Sequence, residues 1–442
     1  MTSPRDALRR AAIVCFVLGS TATALFAQTP TPDRPFPRID GARRWGPFLV
    51  DLDLLIENVG YDDNVFLTAP DDPNRQSAWT VRLGPEVRAQ THFGRRIALT
   101  LHDKLTREVF FGVDGIDANN NDLDGQLDVM LGSVLLSTKG AWSTTRQRPL
   151  SELDQRVRVR RTGFGETAYL FLGGKTDLVA SAAVERIRYS DPDLGARFFV
   201  DPDGDGTTLG GSAGVTIGTA LDRDRTELAG EIGWRPRGRT RLFVRWQARD
   251  YDFLSDQVQR DSEDRRTLVG LEFRPQASIS GRVAVGRARL ENTDPLLANK
   301  PRPFDGTVVL GRLVLRPTGR IRLTLRAERD VRFSTFERNL YLELDRRSAD
   351  AEWFPGRWLG LQAGYDVRDL DWPERTTVAV DAQGNTGFLR HDRIRNVYGG
   401  LLIQLRSGLL LGLRVGRRTR DSNLPFANDE QTYYSTTGSF RF

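Results

Sequence analysis

One pattern recurs through this chain and leaves few folds open to it: apolar and charged side chains alternate at every second residue. In RTRLFVRWQARDY, Leu242, Val244, Trp246 and Ala248 fall on one side, and Arg241, Phe243, Arg245, Gln247 and Arg249 on the other. GRIRLTLRAERD sets Ile321, Leu323, Leu325 and Ala327 against Arg320, Arg322, Thr324, Arg326 and Glu328. NLYLELD opposes Leu340, Leu342 and Leu344 to Tyr341, Glu343 and Asp345, and LLGLRVGRR opposes Leu411, Leu413 and Val415 to Gly412, Arg414 and Gly416. A period of two belongs to the β-strand, whose successive side chains leave on opposite faces. Each stretch therefore reads as a strand with one greasy and one charged face. Mean hydropathy is negative, and past residue 27 no run approaches the roughly 20 apolar residues that a spanning helix needs. Two classes remain: a soluble all-β protein, or a barrel whose apolar side chains meet lipid at every second position.

The first 27 residues read differently. Arg5, Arg9 and Arg10 precede an apolar run from Ala11 to Phe26, and Ala22, Ala24 and Ala27 offer cleavage points. That layout predicts a secretory signal peptide over 1–27, followed by a proline-rich periplasmic lead-in over 28–48 and a single barrel domain over 49–442. The one cysteine, Cys15, falls inside the leader, so the remainder has no thiol for a disulfide or a thiolate metal site. Only four of the 64 basic residues are lysines. Arginine keeps its charge at any accessible pH and grips carboxylates and phosphates with a rigid fork. GC-rich coding produces the same excess without any such role.

Short turn signals separate the strands in pairs, at FGRR (93), TKG (138), GGK (173), PRGR (236), RPQAS (274), RPTGR (316), FPGR (354) and RSG (406). The one doubled interval centres on Gly206, in DPDGDG, where a further turn would restore the spacing. Longer polar connections lie between the turns, at 253–264, 291–306, 331–339, 369–392 and 419–430. Tight turns on one side and long loops on the other predict a transmembrane up-and-down antiparallel β-barrel of the bacterial outer membrane. Nine turns give about 20 strands; if TKG is only a bulge the count is 18, within a range of 16–20. The last stretch, QTYYSTTGSFRF, keeps Tyr434, Phe440 and Phe442 on one parity, which resembles the terminal recognition signal of outer-membrane barrels and implies reading by their assembly machinery. Trp234, Trp353 and Trp358 sit beside proposed turns, where an amphipathic ring suits the headgroup region.

After the first long strand comes GYDDNVF, residues 60–66. Its Tyr61, Asp62, Asp63, Asn64, Val65 and Phe66 resemble the early Tyr-Asp-Asp-Asn-aliphatic-aromatic signature of a β-barrel porin family often associated with exopolysaccharide loci. The likeness extends as a general layout over 49–442. It implies an outer-membrane pore serving, or encoded near, a polysaccharide export system, with export proteins as partners. From the residues alone, Gly60 permits a bulge, and Asp62, Asp63 and Asn64 suit a turn, or a carboxylate pair facing a cation or solute.

If the apolar faces meet lipid, Arg156, Arg158, Arg160, Arg241, Arg245, Arg249, Arg322, Arg326 and Arg414 line the lumen. Asp51, Asp53, Glu86, Glu328, Glu343 and Asp345 join them. Arginine rings favour anions and carboxylate rings cations. Alternatively the charges pair across strands and merely hydrate the interior. DPDGDGTTLGGS (201–212) opens like a calcium loop, but Ser212 stands where a bidentate glutamate belongs, so a tight acidic turn is the better reading. DANNND (117–122) lacks the glycine and reads as a solvated loop. His92, His102 and His391 are the only histidines, and no nucleophile motif accompanies them. The sequence therefore predicts no enzyme, no cofactor and no metal, with outer-membrane lipid, lipopolysaccharide and the assembly machinery as partners and no nucleic acid. Alternatives are a structural or adhesive barrel with a blocked lumen and binding loops and, ranked below it, a barrel hydrolase using one of these histidines.

Overall fold

The alternating segments form strands, and their pairing was followed in a computed structural model. It describes residues 36, 39 and 42–441 apart from 74, 148–155, 191–220, 238–239, 255–259, 274–277, 296–299, 335–338, 375, 381–385, 406–408 and 425–426. The leader at 1–27, Phe442 and both the DPDGDG turn and its calcium-like pattern lie outside the described residues.

A short strand β1 (Arg43–Trp45) doubles back on β2 (Phe48–Asp62). Then follow β3 (Ala78–Phe93), β4 (Ile97–Phe111), β5 (Ala118–Leu131), β6 (Val134–Gln147), β7 (Val157–Leu172) and β8 (Thr176–Ser190). The second half begins with β9 (Arg223–Arg237), β10 (Thr240–Phe253), β11 (Ser262–Phe273), β12 (Ile279–Asn292) and β13 (Phe304–Thr318). It continues with β14 (Ile321–Phe333), β15 (Tyr341–Trp353) and β16 (Leu359–Asp371). After a loop hairpin, β17 (Thr376–Val380) and β18 (Thr386–Phe388), come β19 (His391–Gln404), β20 (Leu409–Ser422) and β21 (Asp429–Arg441). Each long strand pairs antiparallel with its neighbours in sequence, and β21 pairs with β2. Eighteen strands thus close on themselves, leaving no edge, which is how a sheet satisfies its backbone polar groups in lipid.

The eight short connections contain two to five residues, and the nine on the opposite rim six to 32. TKG is not a turn: it lies inside β6, and the reversal is at Gly132, whose positive φ (62°) suits a glycine. Since β8 pairs directly with β9, the 191–222 connection adds no strand to the wall. The first correction relocates a turn without changing the number of turns; the second removes one, and eight short turns give 18 strands. DANNND is also not a loop, because Ala118 to Asp122 begin β5.

Near the short turns the outer face is apolar, with Leu101, Ile232, Val244, Val269, Val285, Leu325, Leu361 and Leu413 exposed to lipid. Trp234, Trp353 and Trp358 are exposed at its lower margin. Asp103 and Glu166 are acids on the same face; Glu166 accepts a 2.8 Å bond from the Thr138 hydroxyl. The strands run 12 to 16 residues, longer than the roughly 9–11 a membrane requires. The surplus extends beyond lipid on the long-loop side.

Candidate functional site: the charged lumen

In β10 the inward face carries Arg241, Phe243, Arg245, Gln247 and Arg249, as the alternation predicts, and the flanking strands set carboxylates against these arginines. Arg241 is buried and donates to Asp177 on β8 (3.0 Å), Glu231 on β9 (2.5 Å) and Glu272 on β11 (3.2 Å). Arg245 lies 3.7 Å from both Glu227 and Glu231. Arg249 bonds Glu227 (3.0 Å) and Asp264 (3.3 Å), and Arg266 bonds Asp264 (2.8 Å) and Asp330 (2.8 Å). Arg235 joins at Asp177 (2.7 Å), while Arg282 contacts Glu231 and Glu272. Six arginines meet six carboxylates, so this wall is formally neutral. Opposite charges bonded across strands brace the wall instead of presenting a bare cationic stripe. The carboxylates Asp177, Glu227 and Glu231 were legible in principle: in TDLVA and RTELAGEIGW they share the parity of the inward residues.

Toward the long-loop rim the balance changes. A cavity of about 390 Å³ spans the lumen from β7 to β19. Eight arginines line it, namely 161, 223, 225, 249, 266, 332, 346 and 368, against the three carboxylates Asp264, Glu328 and Asp330. Others stand behind: Glu185 pairs with Arg225 (3.1 Å) and Asp366 with Arg346 (2.6 Å) and Arg368 (2.6 Å). Arg161 has no carboxylate partner among the described residues, and its Nε is buried without a hydrogen bond. The Arg223 guanidinium instead covers the rings of Phe333 (5.3 Å) and Phe253 (5.8 Å). Tyr189, Tyr251 and Phe333 are also in the lining, so cationic forks and ring faces alternate around one chamber.

The β2–β6 wall is different in sign. Asp51, Asp53, Glu86, Glu108 and Asp128 are buried on its inner face. His102 is held between Asp124 (Nδ1, 2.9 Å) and Glu86 (Nε2, 2.8 Å). Arg156 reaches in to Glu108 and lies 4.8 Å over the Phe110 ring. Elsewhere, Arg322 faces inward in register with Glu352 and Arg326 in register with Arg312. Arg414 bonds Gln362 (3.0 Å) and covers the Tyr398 ring (4.1 Å).

Four residues assigned to the lumen point the other way. Arg158 and Arg160 share a face with exposed positions, while Val159 between them is completely buried. Glu343 and Asp345 are on the outer face, paired with Arg329 (3.8 Å) and Arg347 (2.9 Å), while Leu340, Leu342 and Leu344 are buried. The cause is common to both: beyond the lipid the outside of the barrel is wet and its interior is packed. A greasy face there marks the inside. Leu342, Leu344, Leu370, Trp372 and Ile394 form one such inner cluster; Phe243, Leu268, Ala288, Leu290 and Val308 belong to another.

The GYDDNVF motif fastens the barrel seam. Its predicted bulge is displaced from Gly60 to the Ile56–Asn58 step, where the register with β3 shifts. Tyr61 consequently faces out, against Trp79 (5.6 Å), and Asp62 faces in. Asn64 is fully buried and donates to the carbonyls of Thr68 (2.8 Å) and Glu430 (2.9 Å), while its oxygen accepts from the Thr68 N–H (3.0 Å). Asp63 exchanges backbone and side-chain bonds with Thr432 (3.2 and 2.7 Å), and Asp62 accepts from Gln431 (2.6 Å). Val65 and Phe66 pack with Ala78, Phe110 and Ile116. Tyr434 and Phe440 occupy the outer parity of β21, in register with Tyr61 and Leu54.

A closed 18-strand barrel, apolar outside and ionic within, is a porin-type barrel of the bacterial outer membrane. The family model described as "Putative beta-barrel porin 2" matches residues 41–435, and the chain belongs to that family. Among solved structures it is similar to a BenF-like porin from Pseudomonas fluorescens Pf-5, at 10% identity and TM-score 0.48, covering 89% of this chain and 99% of that one. It is similar also to the outer membrane protein OpdK from Pseudomonas aeruginosa, at 12% identity and TM-score 0.46, with coverage of 89% and 99%. OccAB3 from Acinetobacter baumannii gives 12%, 0.45 and the same coverage. A search of curated proteins finds no match.

Proposed function

We propose that this barrel is a passive, non-catalytic conduit for anionic solutes, with acidic saccharides such as uronic-acid-bearing glycans as the favoured cargo. The observation that carries this reading is the chamber near the long-loop rim, lined by eight arginines among tyrosine and phenylalanine rings, of which Arg161 and Arg223 have no carboxylate partner among the described residues. A carboxylate finds bidentate donors there, and the flat apolar side of a sugar ring finds aromatic faces. Export of polysaccharide, with delivery by export proteins, is the biological setting we assign to it. Assembly through the final strand belongs to the same reading.

The test is planar-bilayer conductance of the refolded barrel under a salt gradient, with glucuronate and glucose as added solutes. Anion selectivity and current block by glucuronate at a concentration where glucose does nothing are the expected results. Arg161→Gln should move the reversal potential toward cations and weaken the block; equal effects of both sugars would overturn the proposal. The inner apolar clusters favour a second reading, a sealed barrel that binds through its loops. A heat-modifiable protein with no conductance would establish that one.

A further inference from the structure

Among the described residues, the outer face carries one place where arginines outnumber acids, and it stands immediately above the apolar belt. Around most of the long-loop end, outward arginines are matched with neighbouring carboxylates. Arg265 pairs with Glu263 (2.8 Å), Arg287 with Asp305 (2.6 Å) and Arg289 with Glu291 (2.7 Å). Arg393 pairs with Asp369 (2.6 Å), Arg395 with Asp421 (3.5 Å) and Arg417 with Glu430 (2.6 Å). Such pairs leave the collar nearly neutral.

On β7 and β8 the matching fails. Phe164 and Val184 form the last apolar cross-strand row. The next rows, each roughly 7 Å further along the strands, are Thr162 with Arg186, Arg160 with Arg188, and Arg158 with Ser190. Beside these four arginines stand two described carboxylates: Asp224 on β9, which bonds both Arg186 (3.0 Å) and Arg188 (2.9 Å), and Asp222, which accepts the Tyr189 N–H (2.6 Å). Arg158 and Arg160 are exposed and have no hydrogen-bond or ion-pair partner among the described residues. Arg160 and Arg188 are directly opposite. Like charges placed opposite on a sheet repel, so the arrangement is unfavourable unless an anion lies between them.

We propose that this patch binds the phosphate groups of an outer-leaflet glycolipid. The argument is one of chemistry and height. Guanidinium forks match phosphate oxygens. A headgroup phosphate is held at the boundary where acyl chains end, and a glycolipid seated there would lay its chains against Phe164 and Val184 while its phosphates meet Arg160, Arg188 and Arg158. A phosphate dissolved in water gains nothing from the apolar row beneath. The ligand is therefore lipid-borne, and the patch gives the barrel one preferred lipid contact on its circumference.

The experiment is native mass spectrometry of the intact, detergent-purified barrel titrated with bisphosphorylated lipid A, with dephosphorylated lipid A, and with inorganic phosphate competing against the first. The folded state of every sample is checked by heat-modifiable migration. One tight adduct with the bisphosphorylated lipid is expected, with the dephosphorylated lipid weaker by on the order of tenfold or more, since each arginine near a charged lipid contributes about a factor of five. Arg158→Gln/Arg160→Gln should reproduce that loss. Arg347→Gln, which removes a matched arginine elsewhere on the collar, should not. Should the double variant destabilise the barrel, Arg158→Gln alone, at the exposed end of its row, should still weaken the adduct measurably. Equal binding of the two lipids, equal loss in Arg347→Gln, or displacement by inorganic phosphate at comparable concentration would each overturn the proposal.

Discussion

The two ends of this barrel obey opposite rules. Beside the short turns, apolar side chains such as Val244 and Leu325 face outward and charges such as Arg241 and Glu231 face in. Beside the long loops, Asp345 and Arg347 face outward and Leu342 and Leu344 face in. The same strand, β15, passes from one regime to the other. Its alternation never breaks; only the surrounding medium changes, from hydrocarbon to water outside and from a hydrated to a packed lumen inside. Hydrophobicity along a barrel strand reports the wetter side at each height, not a fixed direction.

That contrast also separates two kinds of ion pair, and the largest predicted effect lies in the inner one. Arg241 serves Asp177, Glu231 and Glu272 while almost wholly buried. Arg241→Ala would strand these carboxylates in a confined wall, and breaking a buried network by removing one partner costs about 3–5 kcal/mol. Urea unfolding of the barrel in lipid vesicles should show a loss of that size. Restoration by Arg241→Ala/Asp177→Ala of much of the loss would show that the uncompensated charge, not lost packing, is responsible.

A slightly smaller effect should follow from moving charge across the lipid boundary. Val244→Arg places a guanidinium in the belt and is expected to cost about 2–4 kcal/mol, whereas Thr307→Arg, outward on β13 beyond the belt, should cost less than about 1. The same vesicle unfolding experiment compares them. Equal costs at the two heights would mean that the boundary between the regimes is misplaced.

Much of the architecture was legible because a barrel wall repeats one rule: the alternation in RTRLFVRWQARDY and GRIRLTLRAERD gave both the strands and their orientation correctly. Two further features were not. The true turn at Gly132 and Ser133 carries a weak signal, while TKG, with its glycine, mimics one inside β6. The orientations of Arg158, Arg160, Glu343 and Asp345 depend on height relative to the membrane, which a single strand does not encode. The charge pairing of the lumen was open for a related reason. Knowing that Arg241 faces inward says nothing of Asp177, 64 residues away, until the strand order and register are fixed.

The seam presents a third kind of region, where neither lipid nor lumen sets the rule. Asn64→Ala removes a side chain that bonds both the first long loop and Glu430 at the start of the last strand. Leaving buried backbone groups unmatched there costs about 1–3 kcal/mol, and the loss should concentrate at one joint. Hydrogen exchange is the decisive measurement: amides around Thr432 and the β2–β21 pairing should exchange faster, with β10–β12 unchanged.

The smallest effect is predicted for the outer collar. Arg347 and Asp345 form a 2.9 Å pair, but the arginine side chain is 70% exposed. Water already solvates both charges, and holding two side chains in one geometry offsets most of their attraction, so Arg347→Ala should leave the urea midpoint of the barrel in lipid vesicles essentially where it is. Set beside Arg241→Ala, this variant isolates environment from chemistry: the same residue type, the same class of partner and similar distances. A loss comparable with that of Arg241→Ala would mean that the collar is not wet, and the polarity inversion along β15 would need another cause.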